Sequence, residues 1–348
     1  MKLFNQIIII LVVFLKTETV FSENNLFSVN NIQLEKNGKI SNNDLSNQAI
    51  KKGFNKLIEK ILLKEDIEKL SNLDFISVKQ LVMYYQVSNT PNKKKKTEVA
   101  NFSITFDKDK IHKLFYEKGI SYSDILDKEL YVLPILLSND EIFVFNNNLF
   151  YKNWNDVYND TLIDFILPLE NIEILQTINK NRMNLVDLNI DNLFQEYEGK
   201  NLALILIEKN QNIIKKIYIK IKLQGKLISK SLKLKEDNLN VKESHEKIII
   251  SLKKELVRLV KSKNLIDIRI PSFLNVKLNL NKKNNLVDLN SRLNNIDLIT
   301  NIFVQDFNKD YMNLRIKYLG KLDKIINQLK KKDIDLQLIN DYWVIKKF

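Results

Sequence analysis

The sequence predicts an α+β / α/β multi-domain protein, and three patterns carry that prediction. Apolar residues alternate with polar ones where a strand has one face on a core, as Ala100, Phe102, Ile104 and Phe106 do against Asn101, Ser103 and Thr105. Nearly continuous apolar runs mark strands covered on both faces, as in Tyr131 to Leu137, Leu162 to Leu169 and Leu202 to Glu208. Stripes at three- and four-residue spacing, such as Ile249, Leu252, Leu256 and Leu259, mark helices that cover those sheets. With 348 residues, 45% of them hydrophobic, the chain has material for more than one core. The predicted division is a signal segment over 1–22, an N-terminal mixed α/β module over 23–127, a central three-layer α/β module over 128–263 and a C-terminal ferredoxin-like module over 264–348.

At the N-terminus, Met1 and Lys2 precede the apolar run Ile7 to Leu15, which Lys16 interrupts. Polar residues then lead to Val20, Phe21 and Ser22, the basic, apolar and small-residue order of a secretory signal. A spanning helix needs roughly 20 apolar residues. Cleavage is therefore expected before Glu23, with an uncleaved N-terminal membrane anchor as the alternative. The expectation is an exported protein, periplasmic in a bacterium.

In the N-terminal module, Leu26 to Leu34 reads as a strand, and Ser41 or Asp44 is placed to cap a helix carrying Leu45, Ala49, Leu57, Ile58, Ile61 and Leu62. Val78 to Val87 and Val99 to Phe106 read as a hairpin, followed by a short helix with Ile111, Leu114 and Phe115 that stops at Gly119. In the central module, Ile217, Ile219, Ile221 and Leu223 alternate with Tyr218, Lys220, Lys222 and Gln224. The turn through Gly225 and Lys226 leads to a partner strand reaching Lys235. The last stretch reads strand, helix, strand, strand, helix, strand, the order of a split β-α-β unit. Its elements are Phe273 to Leu280, the Leu286, Leu289 and Leu293 stripe, Leu298 to Phe307, Tyr311 to Leu319, the Leu322, Ile325, Ile326 and Leu329 stripe, and Ile334 to Ile345.

The order of certain segments resembles a family of exported bacterial proteins, those with the domain of unknown function 2066 (DUF2066). The carrying segments are the helix Gln48 to Leu62, the strand Val78 to Val87 and the tract Phe102 to Asp107 with its helix to Gly119. After them come Gly119 to Asp124, Tyr131 to Leu136, Ile142 to Phe145, Asn148 to Trp154 and Phe165 to Glu170. The likeness spans roughly residues 26–260 and rests on the order of the pieces. It implies an envelope location and an architecture; the family has no assigned reaction, so it supplies no catalytic residues.

Composition narrows the chemistry. The absence of cysteine excludes disulfides, thiolate metal sites, iron–sulfur clusters and cysteine nucleophiles. Two histidines and six glycines leave little for His-rich metal sites or Gly-rich phosphate loops. Lys+Arg number 55 against 42 Asp+Glu, a formal +13 spread thinly and matched by frequent Asn and Ile. That pattern reflects coding bias, so nucleic acid is not an expected partner. His112 reads as a boundary residue of a packed helix. His245, beside Glu243 and Glu246, falls short of the three or four converging ligands a metal needs. Asp124, Asp140 and Glu141 lie at element ends in the central module, where ligands often bind, and read as solvated loop carboxylates. No catalytic, cofactor or metal residue is assigned, and no cofactor is expected.

Two surface features remain. Lys93, Lys94, Lys95 and Lys96, at the hairpin tip, are candidate contacts for an anionic surface, such as lipid headgroups or a cell-wall polymer. Phe150, Tyr151 and Trp154 are candidate partner or ligand contacts, with core packing as the competing role. Trp343 reads as a core anchor of the C-terminal module. The leading expectation is a non-catalytic accessory or scaffold that binds an envelope protein through exposed sheet edges and the segment around Trp154. The alternatives are a cell-wall hydrolase or small-ligand-binding protein, and a peripheral binder of anionic membrane.

Overall fold

A computed structural model describes residues 26–36, 41–92, 97–125, 128–157, 163–210, 213–232, 241–280, 286–339 and 342–347. The expected signal segment and the Lys93 to Lys96 tip lie outside the described residues. The protein is a mixed α/β chain with four sheets among these residues. It divides into two compact units, Met1–Glu59 with Lys64–Ile120, and Lys60–Leu63 with Ser121–Phe348.

In the first unit the elements run β1 (Ser28–Lys36), α1 (Asn42–Ile61), α2 (Lys64–Glu68), α3 (Phe75–Gln80), β2 (Val82–Asn92), β3 (Thr97–Phe106) and α4 (Lys108–Lys118). The sheet is antiparallel in the order β1-β3-β2. The central strand β3 buries the apolar half of its alternating pattern, Ala100, Phe102, Ile104 and Phe106. Ser41 caps α1 by accepting the Asp44 N–H at 3.1 Å. Farther along, Gly53 sets how closely α1 approaches the sheet. A Cβ there would lie 2.9 Å from the Cδ1 atoms of both Ile104 and Ile32. Gly119, with φ 61° and ψ 41°, ends α4 in the left-handed conformation expected of it. One boundary differs from expectation. Val78 belongs to a helix, because Asp74 accepts the Ser77 N–H at 2.7 Å and starts α3, so the hairpin strand begins only at Val82.

The second unit opens with β4 (Ser121–Ser123), β5 (Glu129–Ser138), β6 (Glu141–Phe143), α5 (Leu149–Lys152), β7 (Asp164–Ile166), α6 (Ile172–Lys180) and α7 (Ile190–Leu193). It continues through β8 (Leu202–Asn210), β9 (Ile213–Leu223), β10 (Lys226–Leu232) and α8 (Val241–Lys263). The six-stranded sheet runs β10-β9-β8-β5-β6, with β7 also on β5. At its centre β5 and β8 are parallel and buried on both faces. On one side Val132, Ala203 and Ile205 meet Ile249, Leu252, Leu256 and Leu259 of α8. On the other, Leu133, Ile135, Leu204 and Leu206 meet Ile174, Ile178, Ile190 and Leu193 of the short helices. Gln224 (φ 49°) and Gly225 (φ 76°) make the two-residue β9–β10 turn, where two positive φ values match the twist of the strands.

The run expected as a strand from Leu162 to Leu169 shrinks to β7. The outer edge of β5 is shared, with β7 on Glu129 to Tyr131 and β6 on Leu136 to Ser138. Pro168, which has no N–H to give a ladder, lies just beyond β7.

The remaining elements are β11 (Leu265–Asp267), β12 (Ser272–Asn279), α9 (Leu286–Asn294), β13 (Ile299–Phe307), β14 (Tyr311–Tyr318), α10 (Leu322–Lys331), β15 (Asp335–Ile339) and β16 (Tyr342–Lys347). The five-stranded sheet is ordered β13-β14-β12-β16-β15. Leu274, Val276, Leu278, Met312, Leu314 and Ile316 form its buried side, with Leu289 and Leu293 of α9 and Ile325 and Leu329 of α10 also buried. The expected final strand is a hairpin: β15 takes the sheet edge and β16 returns parallel to β12. A separate two-stranded ribbon pairs β4 with β11, Ser121 opposite Asp267.

Candidate functional site

The aromatic segment after β6 is shaped by Asn148. Its Oδ1 accepts the Phe150 N–H at 2.9 Å, and its Nδ2 donates to the Pro134 carbonyl at 2.8 Å, so α5 starts against β5. This anchoring turns Phe150 and Trp154 inward, both at 0% exposure. Trp154 meets Phe165 edge-on at 6.0 Å, and Lys253 Nζ lies 5.5 Å from its ring centre. Lys253 is itself buried and donates to the carbonyls of Trp154 (2.7 Å) and Val157 (2.8 Å), while burial lowers its pKa. Tyr151 keeps partial exposure; its hydroxyl donates to the Pro168 carbonyl at 2.7 Å, and burial with the Glu170 carboxylate raises its pKa. Of the three candidate contacts, Phe150 and Trp154 therefore serve the core, and Tyr151 alone reaches solvent.

The polar candidates are not brought together. Asp124 is buried beside Lys324, whose Nζ donates to the Asp124 carbonyl. Burial raises the Asp124 carboxyl pKa against the opposing pull of Lys324, and burial lowers that of Lys324. The Lys324 contact is to the backbone, and the Asp124 carboxyl is enclosed with its Oδ2 unbonded rather than opening on either hollow. Asp140 and Glu141 are exposed on the β5–β6 turn, where Arg182 donates to the Asp140 carbonyl. His112 is packed edge-on against Phe27 at 5.4 Å, and burial, with Lys108 next, lowers its pKa to about 4. His245 packs edge-on against Phe150 at 5.2 Å, its pKa lowered by burial and Lys209. Among the described residues no three His, Cys, Asp or Glu side chains are placed to hold a metal.

Two hollows flank the six-stranded sheet. The larger, about 550 Å³, lies beside the start of β8, with Asp191, Glu198, Lys200 and Lys222 on its walls; its Asp191 and Lys222 form an ion pair. The smaller, about 200 Å³, includes Leu137, Arg182, Met183, Glu208, Lys216 and Tyr218 near the ends of β5 and β8. Their charges suit a polar small molecule, but the lining has no nucleophile oriented by a base.

One open edge of the first unit's sheet is β2. As the last strand in the order β1-β3-β2, it has an outward backbone edge with no strand on it in the described sheet. Met83 (68%), at the irregularity where the register shifts between Val82 and Tyr84, and Tyr84 (49%), Tyr85 (44%) and Val87 (48%) after it are exposed. A strand with one face on a core hides alternate residues. Here consecutive apolar and aromatic residues face solvent. The signal in the sequence is the strand-forming run Met83, Tyr84 and Tyr85 with Val87, in which apolar and aromatic residues stand side by side without alternation.

No family model matches the chain, and no curated protein matches it. A solved structure titled "Crystal structure of uncharacterized protein" aligns over 39% of this chain and 96% of its own, at 12% identity and a TM-score of 0.17.

Proposed function

We infer that this chain is an exported, non-catalytic accessory or scaffold protein of the bacterial cell envelope, similar to the DUF2066 proteins, that binds a protein partner by strand addition at β2. The carrying observation is the open edge of β2 with Met83, Tyr84, Tyr85 and Val87 exposed. An added strand gains main-chain hydrogen bonds along that edge, and these side chains supply the apolar contact. The basic, apolar and small-residue order of residues 1–22 supports the export reading. The division into an N-terminal mixed α/β module, a central three-layer module and a C-terminal ferredoxin-like module belongs to the same reading. For the last, support comes from the element order β12, α9, β13, β14, α10 and the antiparallel order β13-β14-β12, from which β16 departs by lying parallel to β12.

A photo-crosslinking residue at Tyr85 or Val87, in intact cells, tests the reading. One reproducible envelope adduct is expected there, absent when the residue sits at the exposed Tyr116 of α4. No adduct from an exported, folded chain would sink it. The second reading, a small-ligand binder, rests on the hollow of about 550 Å³ beside Asp191 and Lys222.

A further inference from the structure

The five-stranded sheet buries one face, and on β12, β13 and β14 its other face is exposed or half-buried. Opposite Leu274, Val276 and Leu278 on β12 stand Phe273, Asn275 and Lys277; opposite Met312, Leu314 and Ile316 on β14 stand Tyr311, Asn313, Arg315 and Lys317. Register brings the open-face residues into rows. Asn301 and Phe273 flank Lys317, Phe303 and Asn275 flank Arg315, and Asp306 and Lys277 flank Asn313. On this face the strands β12 and β14 carry three cations against the one carboxylate of Asp306 in these rows.

The aromatic residues are combined with those cations. The Arg315 guanidinium lies 4.2 Å from the Phe273 ring centre, and Lys277 Nζ lies 4.3 Å from that of Tyr311. On the edge strand β13, Phe303 (44%) shares this face beside Arg315, whereas Val304 and Phe307 stand in the rows of Leu314 and Met312 on the other side. Cations interleaved with the half-exposed rings of Phe273 and Phe303 match a bilayer surface, where headgroup charge lies beside the acyl boundary. Single-stranded nucleic acid also pairs cations with rings, but it needs free ring faces for its bases. Arg315 and Lys277 already lie over Phe273 and Tyr311.

We propose that the open face of the five-stranded sheet docks on a bilayer containing anionic phospholipid, through Lys277, Arg315 and Lys317 with Phe273 and Phe303. The surface is separate in sequence from the β2 edge and from Lys93 to Lys96, so the proposal stands apart from the partner-binding reading.

The test is flotation of the full chain with vesicles of phosphatidylcholine alone and of phosphatidylcholine with phosphatidylglycerol. The apolar run Ile7 to Leu15 gives both vesicle types the same background, so the readout is the preference between them. Each cation near an anionic surface is worth about fivefold in binding, so replacing Lys277, Arg315 and Lys317 with Gln should reduce the preference on the order of a hundredfold. Phe273→Ser with Phe303→Ser should weaken binding to the anionic vesicles while salt sensitivity persists. All five side chains lie on the open face, and circular dichroism checks that each variant keeps its fold. Arg315→Glu alone is the fallback variant and should act in the same direction. Three results overturn the proposal: no preference in the unaltered chain, a preference that survives loss of the three cations, or displacement from vesicles by a single-stranded oligonucleotide that binds more tightly.

Discussion

Acidification should loosen the first unit through His112. The side chain is buried against Phe27, and its pKa falls from the ordinary 6.5 to about 4, chiefly by burial and next by Lys108, with Asp109 opposing. The folded state therefore resists a proton that the unfolded chain takes up. The sign follows: this contribution is present above pH 6.5 and is lost as pH falls from about 6.5 toward about 4. At about 1.4 kcal/mol per unit, the shift is worth about 3 kcal/mol. The assay is hydrogen exchange at the amides of Phe102, Ile104 and Phe106 in β3, each rate referred to its intrinsic value at the same pH. In the unaltered chain the opening free energy should drop by about that amount across the window. In His112→Phe, which keeps an edge-on ring against Phe27, the drop should vanish. An equal drop in both proteins would refute the assignment.

Two further perturbations probe packing. Trp154→Ala removes the ring between Phe165 and Lys253 and should cost about 3–5 kcal/mol, read as a lower urea midpoint; a change below about 1 kcal/mol would show that Trp154 is not a core anchor. Gly53→Ala introduces a Cβ 2.9 Å from two isoleucine methyl groups and should destabilise the first unit by about 1–3 kcal/mol. Unchanged exchange in β3 would mean that α1 shifts freely.

Local chemistry made much of the fold legible. The alternation through Ala100 and Phe106, the turn at Gln224 and Gly225, and the cap at Gly119 each state a backbone requirement within a few residues. Elements decided by distant neighbours were harder to read. One boundary turned instead on a local cap: Asp74 captures the Ser77 N–H three residues on and draws Val78 into a helix, ahead of residues that are strand-formers. The length of β7 depends on β6 occupying the other half of one strand edge. Lys220 falls on the polar half of an alternating strand, yet it is buried with Nζ on the Leu188 carbonyl at 2.9 Å, because chain from another element covers that face. Contact surfaces were read least well. The aromatic pattern around Trp154 favours core packing without excluding a surface role, and the Asn148 anchor to the Pro134 carbonyl fixes its direction. Phe273, Phe303, Arg315 and Lys317 lie on three strands and become neighbours only through register.

The ribbon of β4 and β11 governs the order in which the second unit can be completed. Ser121–Ser123 are made long before their partner Leu265–Asp267, and Lys324, which holds the Asp124 carbonyl, comes later still. Growing from its N-terminal end, the chain must carry an unsatisfied strand past the synthesis of the whole six-stranded sheet. A product stopped at Lys263 would keep that strand unpaired, a feature by which a chaperone or protease can tell an unfinished copy from a finished one.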